Sequence, residues 1–325
     1  MKAITYSTYG PPEVLGLTEV TRPEPEQGEV LIRVCAAEAT KADCEMRSFR
    51  YAVKWFWLPL RIALGITKPR RQILGGYFSG EIESLGAGVT DFEPGDRVFG
   101  TTRLRLGAYG EYVVLPASYA IAAKPRNMSF VEAAAVPLGG LNALHFMRLA
   151  EIRSGETVLV NGAGGSIGAH AVQIAKSMGA KVTAVDRGFK ETAVRGFGAD
   201  DFIDFEKEPL NARGAGYDVI FDMVPTSSYS ACIRMLNPGG RYLAGNPRLS
   251  VMLRCLITNW FTDRTASFAF AAETKAALSE LRTMIEQGKI GSIVDQVFPM
   301  SRASEAHRRV ETEHRLGACV IQMGE

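Results

Sequence analysis

Gly162, Gly165 and Gly168 fall within one short stretch, V-L-V-N-G-A-G-G-S-I-G, that opens as an apolar run through Val158, Leu159 and Val160. Lacking Cβ atoms, glycines at such spacing let the backbone turn sharply, approach a pyrophosphate closely and seat a helix on a strand. Beyond them Ala171, Val172, Ile174, Ala175 and Met178 recur at helical spacing, and a second apolar run ends at Asp186. Strand, turn, helix and strand would hold the amides at the helix start against phosphates, where the helix dipole favours negative charge. An acidic residue about 20 positions on completes a dinucleotide fingerprint, because its carboxylate accepts from ribose hydroxyls. The frame is imperfect, reading A-x-G-x-x-G from Ala163. A helix-packing turn with no ligand uses the same residues, so the flanking strand, helix and Asp186 carry the reading. The expected phosphate cradle comprises Gly162, Ala163, Gly164, Gly165, Ser166, Ile167 and Gly168.

A chain of 325 residues exceeds one ordinary core and indicates two domains. The near-balanced charge of +2, with no basic stripe of interleaved aromatics, argues against a nucleic-acid partner. The start, M-K-A-I-T-Y, reads as a strand and not as a signal peptide, which points to a cytoplasmic protein. Cys35, Cys44, Cys232, Cys255 and Cys319 are scattered and odd in number, so neither a disulfide framework nor a zinc knuckle is expected. The aromatic stretch 51–67 is interrupted by Lys54, Pro59 and Arg61, and its apolar pieces are far shorter than the roughly 20 residues a bilayer span needs. A buried lid over a substrate pocket is the favoured reading there. Plain core or a subunit contact follows, and contact with a membrane surface comes last.

The elements that must position the cradle follow from texture. From Met1 to Lys124, short alternating runs are separated by Pro and Gly (G-E-V-L-I-R-V, G-E-I-E-S-L-G, G-D-R-V-F-G, G-E-Y-V-V-L-P), as in a partly closed β-domain. At N-M-S-F-V-E the spacing of Ser129 and Glu132 forms a capping box that opens a helix and a new domain. Apolar runs then alternate with helical patterns through V-T-A-V-D, D-D-F-I-D-F, Y-D-V-I-F-D-M-V and G-G-R-Y-L-A-G-N-P, the mark of a doubly wound parallel sheet. After a helix over 274–287 the tail reads V-D-Q-V-F-P-M, a helix from Ser301 to Glu311 and a last strand A-C-V-I-Q-M. The expected fold is therefore α/β: a doubly wound parallel Rossmann sheet over 125–292, inserted in a β-rich domain formed by 1–124 and 293–325. The ligand cleft would lie between them.

With these motifs in view, G-D-R-V-F-G, A-A-A-V-P-L-G-G-L-N-A-L, the glycine stretch, G-A-D-D-F-I-D-F and F-P-M-S-R-A-S-E-A-H-R-R-V-E resemble, in order and over nearly the whole chain, the medium-chain dehydrogenase/reductase superfamily. The nearest likeness is to its quinone oxidoreductase branch. The resemblance implies a GroES-like catalytic domain, a nicotinamide cofactor, hydride transfer to a quinone or an α,β-unsaturated carbonyl, and a homodimer, commonly formed through the edge of the nucleotide sheet. Zinc-dependent members carry Cys where this chain has Thr40, and Gly-His-Glu where it has Gly75, Gly76 and Tyr77. Zinc needs thiolate, imidazole or carboxylate ligands, so a metal-free site is expected. Alternatives on the same fold are an alcohol dehydrogenase-like activity and an NADPH-binding protein without turnover.

In the branch's loop pattern, T-K-A-D-C-E-M-R retains Asp43 and Arg47, read as a structural ion pair. Thr40 becomes the candidate hydroxyl near the nicotinamide or substrate oxygen, Glu45 a candidate proton source, and Tyr77 and Tyr109 further hydroxyl candidates. Asp186 favours NAD, whereas Arg187 and Lys190 stand where NADPH-using relatives place cations. The balance favours NADPH and leaves NAD possible. Phe205 is expected by the adenine. Asn142, Val224, Gly245 and Asn246 are expected along the rest of the cofactor, and Ala318 replaces a cofactor-contacting Lys or Asn.

Overall fold

The computed structural model describes residues 1–51, 57–211, 214 and 216–324, with the Ala63 side chain left aside. In chain order the first lobe holds strands β1 (Lys2–Thr5), β2 (Gly16–Glu19), β3 (Glu29–Ala39), β4 (Tyr77–Leu85), β5 (Arg97–Thr101), β6 (Tyr112–Pro116) and β7 (Ile121–Ala123). Helices α1 (Lys41–Ser48) and α2 (Trp57–Leu64) sit between β3 and β4. There follow α3 (Phe130–Ala134), α4 (Pro137–Leu149), β8 (Thr157–Asn161), α5 (Ser166–Ser177), β9 (Lys181–Asp186), α6 (Glu191–Gly196), β10 (Asp201–Asp204) and β11 (Tyr217–Asp222). The chain closes with α7 (Tyr229–Met235), β12 (Leu236–Ala244), α8 (Leu249–Phe261), β13 (Thr265–Phe268), α9 (Lys275–Glu286), β14 (Val294–Pro299), α10 (Ala303–Glu311) and β15 (Ala318–Gln322).

Six of these strands form one parallel sheet in the order β10-β9-β8-β11-β12-β13. The order reverses between β8 and β11, so their carboxyl ends diverge into a crevice where such sheets take ligands. Both faces are covered, and the strands accordingly read as continuous apolar runs, not alternations. Val158, Val160, Val219 and Phe221 pack with α4, α5 and α9 on one face; Leu159, Val185, Ile203 and Ile220 pack with α7 and α8 on the other. The doubly wound expectation thus holds.

The second sheet is β-rich and runs β14-β15-β3-β4-β5-β7, with β6 also on β3. Strand β3 carries two partners along one edge: β6 over Glu29–Arg33, then β15 over Ala36–Ala39. The tail strand β15 therefore pairs with the sheet of the first lobe. The capping box at Ser129 forms as expected, with Ser129 Oγ accepting from Glu132 N at 3.2 Å. Its helix is short, however, and Val131, Ala134 and Ala135 pack on Ala36, Ala318 and Val320 of the first lobe's sheet.

The aromatic stretch differs from expectation. Residues 52–56 lie outside the described residues. Over the rest, Trp57, Leu58, Ile62 and Ile66 are each about half exposed or more, so the described part is not a buried lid. What anchors it is Arg61, whose guanidinium stacks on Phe49 at 4.2 Å and Tyr9 at 4.6 Å, while the Tyr9 hydroxyl donates to the Gly65 carbonyl at 2.9 Å. Among the described residues no helix is long and apolar enough to cross a membrane.

Candidate active site at the head of helix α5

Strand β8 ends at Asn161 and the chain turns through Gly162, which adopts φ +87°, a conformation that glycine reaches without steric cost. Gly168 faces back on this turn: a Cβ there would stand 2.1 Å from the Gly162 carbonyl oxygen. Helix and strand can approach this closely only with hydrogen at that position. Gly165 caps α5 with an extended backbone and no side-chain hydrogen bond, and no acidic residue occupies the first turn. The amides at this helix start are left to an external acceptor, which fits the diphosphate of a dinucleotide. Ile167 packs into the core behind the loop, and the Ser166 side chain is turned into the protein interior.

Asp186 stands beside the loop at the end of β9, as predicted, but its carboxylate is already occupied. Oδ2 accepts from Gly164 N at 2.7 Å, and Oδ1 accepts from Arg187 N at 2.8 Å and pairs with Lys190 Nζ at 3.0 Å. Lys190 is 6% exposed, so it is neither a free surface cation nor one extended toward solvent. Arg187 is the more open of the two, lying 3.3 Å from Glu206. Phe205 is half exposed next to the Asp186 carbonyl.

Across the crevice, Asp222 ends β11 and organises the opposite wall. Its carboxylate accepts from Asn161 Nδ2 at 2.9 Å, Val224 N at 3.0 Å, the Tyr242 hydroxyl at 2.9 Å and the Ser227 hydroxyl. Burial raises its pKa and these donors pull it back. Val224 is brought against Gly162, and Gly245 lies so close to Met223 that a Cβ would meet its sulfur at 2.0 Å. Asn246 reaches the Met223 carbonyl at 3.5 Å, while Asn142 Nδ2 donates to Leu138 O within its own helix. Asp222 was missed in the sequence, where it read only as the end of an apolar run.

On the first-lobe side, Thr40 is 2% exposed and caps α1. Its hydroxyl accepts from Asp43 N at 3.0 Å and donates to Asp43 Oδ2 at 2.6 Å, so donation to a substrate oxygen requires exchanging that bond. Asp43 Oδ1 also accepts from Gly75 N at 3.1 Å, tying α1 to the turn before β4. Burial pushes the Asp43 pKa up against these bonds. Asp43 and Arg47, expected as an ion pair, do not pair: both are buried, and Arg47 Nη2 instead pairs with Glu311 of α10. Helical geometry explains the correction, since Asp43 at the third helical position turns back to the cap. Glu45 is half-buried in a separate cavity of about 810 Å³ that Tyr9, Lys41, Tyr51 and Glu313 also line.

Tyr77 donates to Glu273 Oε1 at 2.9 Å, and Thr101 Oγ1 donates to Glu273 Oε2 at 2.7 Å. Glu273 lies between β13 and α9, so this carboxylate fastens the nucleotide lobe to β4 and β5. Burial, then the Glu273 charge, holds the Tyr77 pKa well above its ordinary value, which makes the phenol a poor acid. Tyr109 is fully buried and its hydroxyl meets His307 Nε2 at 3.1 Å; burial drives His307 down to about 3, so the ring is neutral. Glu273 was invisible in the sequence because an acidic residue just before a helix is unremarkable. Glu38 carried a signal that was passed over, a single carboxylate in C-A-A-E-A-T.

Zinc suits this arrangement poorly. Thr40 offers a hydroxyl already engaged by Asp43, Gly76 has no side chain, and no group of three or more His, Cys, Asp or Glu among the described residues is placed to hold a metal.

A doubly wound sheet whose glycine turn opens at the switch point, joined to a β-rich lobe closed by its own tail, defines a two-lobed nucleotide-dependent dehydrogenase or reductase. Residues 26–125 match the family described as "Alcohol dehydrogenase GroES-like domain", and residues 197–321 match "Zinc-binding dehydrogenase". The chain is 31% identical to a quinone oxidoreductase of Pseudomonas aeruginosa, over 98% of this chain and 99% of that one. It is 29% identical to the chloroplastic NADPH-dependent alkenal/one oxidoreductase of Arabidopsis thaliana, over 99% of this chain and 79% of that one. The solved quinone oxidoreductase of Coxiella burnetii superposes with a TM-score of 0.88 at 28% identity, covering 99% of each chain. The chain belongs to the medium-chain dehydrogenase/reductase superfamily, in its quinone oxidoreductase branch.

Proposed function

We propose that the protein is an NADPH-dependent, zinc-independent reductase of quinones or α,β-unsaturated carbonyls. The observation that carries this is the uncapped head of α5 behind Gly162 and Gly168, together with Thr40 and Gly76 standing where a zinc site would need ligands. The nicotinamide supplies a hydride when bound. The chain's own task is to hold the dinucleotide through the amides of residues 166–168, Asp186 and the 222–224 and 245–246 turns, with the Glu273 fastening joining the two lobes. Hydride addition to a quinone or enone leaves a delocalised enolate that water can protonate, so Thr40, Tyr77 and Glu45 serve here as pocket groups and not as obligatory acids.

The preference for NADPH rests on Asp186 being neutralised by Lys190, which removes the repulsion a free carboxylate would exert on a 2′-phosphate. Beside it a cavity of about 440 Å³ is lined by Arg187, Phe189, Glu206, Arg309 and His314. Arg309 is held by Asp295 at 2.8 Å and Arg187 more loosely by Glu206 at 3.3 Å, which makes Arg187 the cation proposed for the phosphate. The proposal includes a cytoplasmic location and a homodimer. A homodimer is supported by strand β13, whose outer edge is unpaired among the described residues, and by the neighbouring α8, which exposes Leu249, Leu253, Leu256, Ile257, Trp260 and Phe261.

Steady-state kinetics with NADPH and NADH against 1,4-naphthoquinone, a short enal and a primary alcohol test the proposal. The expected outcome is reduction of the quinone or enal with higher kcat/KM for NADPH, undiminished by chelators. Arg187→Ala should lower kcat/KM about tenfold for NADPH alone. A preference for NADH, or zinc-dependent alcohol oxidation, would reject it.

A further inference from the structure

Where the two lobes meet, β15 of the first lobe touches the glycine turn of the second. Gly317 N donates to the Gly164 carbonyl at 2.8 Å, and Gly165 and Gly317 form a bridge. Glu38 lies at this seam, on the part of β3 that pairs with β15, opposite Val320. It is 2% exposed, beside a layer formed by Ala36, Ala134, Ala135, Ala318 and Val320. Among the described residues Glu38 Oε2 has no hydrogen-bond partner of ordinary geometry, and neither has the Oγ of Ser166, the first residue of α5. A buried carboxylate left in this state is costly when ionised.

The groups around Glu38 come from five elements. Ser166 of α5 and Arg315 before β15 favour its anion, while Asp43 of α1 opposes it. Tyr77 of β4 and Tyr109 before β6 feel its charge but are held neutral by burial, as is the Cys319 thiol of β15. His170, one turn along α5 with Nδ1 2.8 Å from the Ser166 carbonyl, is kept neutral by burial too. Arg315 donates to the Val310 and Gly317 carbonyls, so it does not close an ion pair on Glu38. Burial outweighs the two favourable neighbours and lifts the Glu38 pKa from 4.5 to about 8.

We propose that Glu38 is coupled to the cofactor site as a proton-binding residue: it carries its proton whenever a dinucleotide diphosphate occupies the head of α5, so cofactor binding takes up a proton at alkaline pH. The inference rests on the dinucleotide reading of that helix head. One helix start offers roughly half a positive charge, and a diphosphate uses it fully. A second anion on the other side of the same first turn, behind Ser166, is repelled in a poorly solvated seam. Protonation removes the conflict.

The sign follows from linkage. Below the pKa of the free protein Glu38 is already neutral and binding is insensitive to pH. Above it the proton must be taken up first, so affinity falls with rising pH. Titrating the full-length protein with NADPH by fluorescence should give a Kd about tenfold higher at pH 9 than at pH 7. Glu38→Gln, which keeps the volume and a donor, should bind like wild type at pH 7 and show a Kd constant to within about twofold over the same range. Calorimetry of the wild type at pH 9, in two buffers of different ionisation enthalpy, should reveal net proton uptake, a readout that needs no variant to fold. A flat wild-type Kd, an identical pH response in Glu38→Gln, or the absence of proton uptake would overturn the coupling while leaving the function intact. No NADPH or NADH binding at pH 7 would instead overturn the function.

Discussion

Helices α1 and α5 both begin beside the cleft, one in each lobe, and they treat their first amides in opposite ways. At α1 the chain satisfies itself, with Thr40 and Asp43 exchanging hydrogen bonds across the cap and Asp43 reaching on to Gly75. At α5 the cap is a glycine with nothing to offer, and the first turn carries no acid. A closed helix head makes a rigid wall, whereas an open one makes an anion site. On the proposed function, the contrast puts cofactor binding in the second lobe and shaping of the substrate side in the first. It also explains why Thr40, read from its position as a reactive hydroxyl, is found holding the wall together.

Breaking the open head should have the largest effect. Gly168→Ala puts a methyl 2.1 Å from the Gly162 carbonyl oxygen, backbone that cannot swing aside. The turn must open, and NADPH affinity measured by fluorescence titration should fall by at least about a hundredfold, roughly 2.7 kcal/mol. Retained affinity would mean that the turn does not shape the site. Breaking the closed head should act on stability instead. Asp43→Ala strips acceptors from Thr40 N and Gly75 N in a buried place and should cost about 2–4 kcal/mol in urea unfolding. The folded fraction should still bind NADPH within about threefold of wild type.

The mildest change converts one head into the other. Gly165 has an extended backbone, and a Cβ there meets nothing nearer than 3.6 Å, so Gly165→Asp introduces a cap without strain. It should stabilise the unliganded protein by about 1 kcal/mol in urea unfolding and weaken NADPH about tenfold, because its carboxylate takes the amides first. A gain in stability with no loss of affinity would show that the amides are not the diphosphate's partners.

Legibility followed the range of each interaction. The glycine turn and the Ser129 capping box rest on contacts within a few residues of chain, and residue types alone predict them. Arg47 misled because its partner, Glu311, is remote in sequence and brought in by the tail. The Lys190–Asp186 pair was not read from the sequence either: four residues after Asp186, Lys190 folds back in the turn to meet its carboxylate. The apolar stretch after Arg248, unassigned by pattern, became α8 and the edge strand β13, since a run apolar on most sides fits either helix or buried strand until its neighbours are known.

Residue types and spacing by themselves determined the α/β plan, a doubly wound parallel sheet beside a β-rich lobe, and the glycine turn between β8 and α5, because glycine geometry, helix caps and apolar periodicity act locally and leave marks in the chain. Only the tertiary structure decided which carboxylates are free. Asp186, Asp222 and Glu273 are each satisfied by donors that include partners from distant segments, while Glu38 Oε2 at the seam has no such donor among the described residues, and burial with its hydrogen-bond partners is a property of the assembled fold that no single stretch of sequence contains.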